Sequence, residues 1–208
     1  METCPSIGEL EERMRPGALS GQGFLGPNES LEAVVIGDSQ TLDQLGLSHE
    51  DIARALADVL QKAVDQRKKL LHSDHTQYRR REIHIPNLYK PESVPHFSLN
   101  NLPSTDVGYW VDNKYQVFIA QYRGLQQCPW GCEYDRWSSF DFLVLNRESG
   151  EYVTGSGLIV HLIREHQFFE GKESSYRTDP IQLARVLELK GGLGSITRPV
   201  DNFGGPTL

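Results

Sequence analysis

Residues 128–166 read CPWGCEYDRWSSFDFLVLNRESGEYVTGSGLIVHLIREH, and this stretch decides how the chain is expected to fold. Its two ends carry four side chains that are typical metal ligands, which are Cys128, Cys132, His161 and His166. Between them, residues 140–146 and 151–154 have the apolar and β-branched composition of two strands. The order is therefore a turn with two thiols, a β-hairpin and an apolar helix with two imidazoles. We interpret this order as a zinc site, which joins the hairpin to the helix.

The thiol-bearing turn, residues 128–132, is called the knuckle here. Pro129 fixes one backbone torsion and Gly131 can adopt a positive φ, so the two sulfurs can converge. The arrangement resembles an enlarged ββα zinc finger, in which a knuckle, a hairpin and a helix hold one ion. Two features depart from that pattern. The 28 residues between Cys132 and His161 are about twice the usual finger linker. His161 and His166 are also about 140° apart around a regular helix, so a loosened last turn is expected.

Other interpretations of the same residues stay open at this stage. In one of them, His161 is a core residue, His166 is a surface residue, and the cysteines are simple turn residues or buried thiols. In another, the two thiols form a redox pair, although such pairs usually have two intervening residues and precede a helix. An aromatic patch at Trp130, with Phe168 and Phe169, is a further hypothesis for a binding surface.

A catalytic zinc would keep one coordination position open and would use a carboxylate as general base. Glu165 lies between the two histidines and Glu133 follows Cys132, so both are candidates for that role. Four protein ligands would close the site, which favours a structural ion. The sequence therefore predicts a zinc-stabilised interaction or regulatory module with a protein partner. The alternative is a metal-dependent hydrolase.

The fold class expected is α+β, with an antiparallel sheet of about four strands and helices packed on one face. Residues 48–70 show helical spacing of apolar side chains after a Ser-x-x-Asp start. Residues 107–111 and 115–122 alternate as a hairpin, and a last helix should begin at Asp179-Pro180. Residues 31–37, with three β-branched side chains in a row, are expected to form a short strand or a turn.

The domain organisation follows from composition. Residues 1–30 are rich in glycine and acidic side chains and are expected to be a flexible arm. Residues 31–190 are expected to form a single α+β domain, with a helical part over 31–86 and a β-rich, zinc-binding part over 107–190. Residues 191–208 lack periodicity and are expected to be a flexible tail.

The net charge of −7 argues against general binding to nucleic acid, because that affinity comes from Lys and Arg on phosphates. A local contact through residues 79–81, three arginines, is the nucleic-acid alternative. No apolar run reaches the roughly 20 residues that cross a bilayer, so no membrane association is expected. Three cysteines suit metal or thiol chemistry in a reducing cytoplasm better than a disulfide framework.

Overall fold

The computed structural model describes residues 5–73, 108–133 and 137–190. Five helices and four strands lie in these residues, and they are numbered here in chain order. They are α1 (Ile7–Met14), α2 (Leu31–Leu45), α3 (His49–Ser73), β1 (Tyr109–Val111), β2 (Tyr115–Gln127), β3 (Trp137–Asn146), β4 (Tyr152–Ser156), α4 (Ile159–His166) and α5 (Pro180–Val186).

The four strands form one antiparallel sheet in the order β1-β2-β3-β4. Asp112 and Asn113 make the β1–β2 turn with φ angles of 51° and 55°, the left-handed conformation of a tight hairpin turn. The pairing of β2 with β3 slips between Gln121 and Gln126, which is a bulge. Beyond it, Gln127 pairs with Trp137, so both strands continue to the base of the knuckle.

The helices pack on one face of the sheet. That face carries Val117, Phe142, Val144 and Val153, which share one hydrophobic core with apolar side chains from all five helices. The opposite face carries a smaller buried cluster of Phe118, Leu143 and Leu145. The predicted α+β fold with a four-stranded antiparallel sheet is confirmed. Over the described residues, no helix combines the length and apolar character needed to cross a membrane.

The helix starts follow the capping signals in the sequence. At α3, the Ser48 hydroxyl accepts from Asp51 N at 3.1 Å, and Asp51 Oδ2 accepts from Ser48 N at the same distance. At α5, Asp179 Oδ1 accepts from the amides of Ile181 and Gln182, each at 3.0 Å, and Pro180 occupies the first helical position. Both predicted starts are confirmed because local side chains satisfy the otherwise unpaired amides.

The interpretation of residues 31–37 as a strand or turn is wrong, because these residues form the first half of α2. Ser30 caps the helix by accepting from Ala33 N at 3.4 Å. The side chains buried along α2 recur at helical intervals, and they are Leu31, Val34, Asp38 and Leu42. Burial of this stripe outweighs the modest helix penalty of β-branched residues.

Residues 5–30 pack on the body of the protein, which differs from the flexible arm expected there. Helix α1 starts with a capping box between Ser6 and Glu9. Apolar side chains of this segment lie in the main core, and they are Leu10, Met14, Phe24 and Leu25. Gly23, with a φ of 73°, precedes Phe24 and Leu25, and the amides of both donate to the carbonyl of Met14. Composition alone did not predict this packing.

A buried ion pair ties α2 to the chain that follows α4. Arg177 donates to both carboxylate oxygens of Asp38, at 3.0 and 2.6 Å, and also to the carbonyl of Glu170 at 2.6 Å. The Asp38 side chain is only 3% exposed. Such bidentate geometry offsets the desolvation of both charges.

Some expectations fall outside the described residues. These are the residues of the helical part from 74 to 86, the first residue of the expected hairpin at 107, the arginines at 79–81, Cys4, and the tail from 191 to 208. The proposed domain boundaries stay a prediction.

Candidate metal centre

The knuckle, residues 128–132, is a tight turn at the end of β2. The amide of Gly131 donates to the carbonyl of Cys128 at 3.1 Å, and Gly131 has a φ of 74°. A side chain other than glycine would be strained at this φ. The turn places the sulfurs of Cys128 and Cys132 3.7 Å apart on one side of the loop.

Helix α4 supplies the two imidazoles. Ile159, Leu162 and Ile163 are fully buried and anchor the helix on the core. The helix ends at His166, where Gln167 adopts a φ of 55° and its amide donates to the carbonyl of Ile163 at 3.1 Å. The same amide also donates to the carbonyl of Leu162, five residues earlier, so the end of the helix departs from regular α-helical bonding. The chain turns away from the helix axis after His166. The ring centroids of His161 and His166 lie 5.2 Å apart.

The four donor atoms lie close together. One donor atom from each of the four predicted residues lies within 4.8 Å of all the others. His166 Nε2 lies 3.4 Å from Cys128 Sγ and 3.1 Å from Cys132 Sγ. Zinc–sulfur and zinc–nitrogen bonds of about 2.3 and 2.0 Å in a tetrahedron require about 3.8 Å between sulfurs and about 3.5 Å from sulfur to nitrogen. The 3.7 Å between the sulfurs and the 3.4 Å from Cys128 Sγ to His166 Nε2 agree with this, whereas the 3.1 Å from Cys132 Sγ is shorter than in an ideal tetrahedron. The four residues lie close enough to bind one metal ion.

The centre is covered unevenly by protein. Cys128 is fully buried and His161 is 9% exposed, whereas Cys132 and His166 are half-buried. The Trp130 ring stacks on the imidazole of His166, with 4.0 Å between centroids and 3° between planes. The edge of the same indole meets Phe168 at 5.6 Å. Trp130 thereby fixes the plane of the His166 ring and shields one side of the centre from water.

Burial sets the protonation of the donors when no ion is bound. It raises the pKa of the Cys128 thiol to about 11, because the thiolate loses its hydration. It lowers the pKa of His166 to about 4, and the neighbouring His161 pushes in the same direction. The imidazole therefore keeps a free lone pair at neutral pH, whereas Cys128 must release a proton to bind a cation. Metal affinity is expected to rise with pH.

The hydrolase alternative required a carboxylate at the ion. Glu165 and Glu133 are both exposed, and neither belongs to the four-residue cluster. Glu165 lies on the solvent side of α4, because the helix buries His161, Leu162 and Ile163 instead. Nothing in the described geometry favours either residue as a general base.

The hypothesis of an exposed aromatic patch is wrong. Phe168 and Phe169 are fully buried, and Trp130 packs against the main core. The chain reverses at Gln167, and the amide of Phe168 donates to the carbonyl of Leu162 at 3.1 Å. This turn directs both phenylalanines inward under the helix they follow.

A buried carboxyl group was missed in the sequence. Glu170 is 0% exposed, and its Oε2 accepts from the Ser174 hydroxyl at 2.6 Å while Oε1 has no hydrogen-bond partner. Burial raises the pKa of Glu170 to about 8, and nearby Asp141 acts in the same direction. Glu170 is thus largely protonated at neutral pH. The surrounding sequence, EGKESSYR, is polar and gives no signal of burial.

Comparisons of the chain with protein families, with curated proteins and with solved structures returned no match.

Proposed function

We propose that this protein is a zinc-stabilised interaction or regulatory module, in which Cys128, Cys132, His161 and His166 hold one structural zinc ion. The observation that carries the proposal is the convergence of two sulfurs and two imidazoles, whose donor atoms all lie within 4.8 Å of one another. Two thiolates and two imidazoles are a ligand set that zinc prefers, whereas magnesium and calcium prefer oxygen.

The proposed role is structural because four protein donors fill the tetrahedron and leave no position for a water molecule. The ion would connect the end of β2 to the end of α4, two elements that are separated by the β3–β4 hairpin. Such a connection adds its binding free energy to the stability of the folded protein. The bound ion would withdraw charge from the thiolates and supply no reaction.

Metal analysis tests the proposal. Protein purified under reducing conditions without added metal is expected to contain close to one zinc per chain by elemental analysis. Cys128→Ser is expected to lose that zinc, because it removes a buried donor. Cys4→Ser is the matched control, since it removes a thiol outside the cluster and should retain the metal. Freshly purified, reduced protein without metal, or a Cys128→Ser variant with full zinc content, would refute the proposed site.

The proposal includes a protein as partner and a reducing compartment such as the cytoplasm. The net charge of −7 disfavours a polyanionic partner, because association would bring like charges together. A reducing compartment is needed because only reduced thiols can coordinate the ion. A partner interaction that weakens steeply with added salt and requires nucleic acid would contradict this part of the proposal.

A further inference from the structure

The two thiols of the centre differ in their access to solvent although they are close together. Cys128 is 0% exposed, whereas Cys132 is half-buried at the outer end of the knuckle. Their sulfur atoms are 3.7 Å apart. A disulfide bond is about 2.05 Å long, so the sulfurs need to approach by only about 1.7 Å. One thiol is therefore reachable by a reagent from solution, and the other is placed to react with the first.

We infer that Cys132 is a site of reversible thiol modification, at which a small-molecule disulfide reacts first and the Cys128 thiol then closes an intrachain disulfide. The attacking order follows from exposure, because thiol–disulfide exchange requires the attacking sulfur to lie in line with the S–S bond of the reagent. A peptide-sized or smaller disulfide can meet this requirement at Cys132. At Cys128 the surrounding core excludes it.

The chemistry balances in two steps. The Cys132 thiolate bonds to one sulfur of the reagent, the reagent S–S bond breaks, and the other half leaves as a thiolate. Cys128 Sγ then bonds to the Cys132 sulfur, the mixed disulfide bond breaks, and the second half leaves as a thiolate. The two cysteines lose two electrons, which the reagent gains. In metal-free protein the two thiol protons pass to the leaving thiolates, and excess reduced thiol reverses both steps.

Zinc release is the expected consequence, which rests on the structural zinc site proposed above. Closing the disulfide removes two of four donors and leaves only His161 and His166, which hold zinc far less tightly than four donors do. The imidazole of His166, on which Trp130 stacks, would then no longer be held in place by a tightly bound ion. The knuckle would thus report the thiol–disulfide balance of its surroundings by gaining or losing an ion.

The test uses the whole chain with Cys4→Ser in every sample, so that only the two knuckle thiols can react. Oxidised glutathione is expected to lower the intact mass by two hydrogen atoms and to release one zinc per chain to a chelating dye. With Cys128→Ser added, the reaction should stop at one bound glutathione. With Cys132→Ser added, Cys128 should remain unmodified over the same time. Modification of both variants at equal rates, or parent protein that accumulates glutathione without closing the disulfide, would overturn the inference.

A second measurement avoids variants that fold poorly. Brief iodoacetamide treatment of the protein as purified, followed by peptide mass analysis, should label Cys132 several-fold faster than Cys128. Equal labelling would contradict the proposed order. Elemental analysis before oxidation separates the two proposals. Metal-free protein that still forms the disulfide would refute the structural zinc alone, whereas zinc-containing protein that resists oxidised glutathione would refute only the modification site.

Discussion

At the scale of single residues, His166 contacts the other members of the proposed centre, although it is the last residue of its helix. Its Nε2 approaches both sulfurs, its ring faces His161, and Trp130 covers its other side. The neighbouring Glu165 has none of these contacts and is exposed. Adjacent positions on one helix therefore have opposite expected sensitivities to substitution.

We predict that His166→Ala lowers the thermal stability of the zinc-loaded protein. A ligand present at a hundredfold its dissociation constant stabilises by about 2.7 kcal/mol. Losing that much stability lowers the melting temperature of a chain of this size by roughly 5–11 °C. The melting temperature measured by calorimetry checks this, with Glu165→Ala as the control that should melt like the parent. If His166→Ala keeps its metal and melts like the parent, His166 is no ligand.

Glu170 provides a pH-dependent prediction. Its pKa is about 8 in the folded protein against an ordinary value of 4.5, so the unfolded chain ionises first as pH rises. The stability contributed by this group is therefore fully present below 4.5 and is lost as pH rises from 4.5 to 8, by up to about 1.4 kcal/mol per pH unit. Glu170→Gln, which stays neutral, should remove this loss.

Urea denaturation of parent and Glu170→Gln at pH 5, 6, 7 and 8 measures the difference. Glu170→Gln should gain stability relative to the parent at each increase in pH. The exposed substitution Glu165→Gln should give a constant difference across the series. Parallel pH profiles for the parent and Glu170→Gln would mean that Glu170 ionises at its ordinary pH within the fold.

At the scale of elements, α1 belongs to the core and not to an appended arm. Met14 is 0% exposed near its end, whereas Ile7 at its start is 58% exposed. We predict that Met14→Ala costs about 2–5 kcal/mol, because it leaves a cavity in a packed interior. Ile7→Ala, on the same helix, should change stability by no more than about 0.5 kcal/mol. Chemical denaturation measures both, and equal small effects would show that α1 is not needed for the core.

Much of the fold and of the candidate site could be predicted from element-level patterns. Alternation predicted β1 and β2, and apolar, β-branched composition predicted β3 and β4. The order of two thiols, a hairpin and two imidazoles predicted the four converging residues. The failures have local physical causes. The three β-branched residues of α2 favoured a strand, although the buried side chains recur at helical intervals. The glycines near Phe24 favoured a flexible segment, although Phe24 packs in the core. Glu170 was missed because its burial depends on Ser174 and on distant residues, which short-range patterns do not record.

At the scale of the whole molecule, the centre lies at one end of the sheet and is distant in sequence from the helical layer formed by α2 and α3. We predict that removing the metal with a chelator loosens the knuckle, the hydrogen-bonded end of β2 and the last turn of α4. Amide protection there should fall, because local opening needs fewer contacts to break than global unfolding. The middle of α3, anchored by Ile52, Leu56 and Leu60, should keep its protection.

Hydrogen exchange followed by mass spectrometry resolves these segments. The expected result is faster exchange in peptides that cover residues 124–133 and 161–168, with unchanged exchange in residues 50–62. Uniformly faster exchange would indicate that the ion supports the entire fold. Unchanged exchange everywhere would indicate that the knuckle and α4 hold together through their apolar contacts alone.

The separation of the donors along the chain also has a consequence in time. Cys132 and His166 are 34 residues apart. Protein synthesis adds roughly 5–20 residues per second, so the second imidazole is made about two to seven seconds after the second thiol. During that interval the nascent chain carries both thiols without the full set of imidazole partners. If the four residues bind the proposed ion, biogenesis of this protein requires the two thiols to stay reduced until the ribosome has added the last donor.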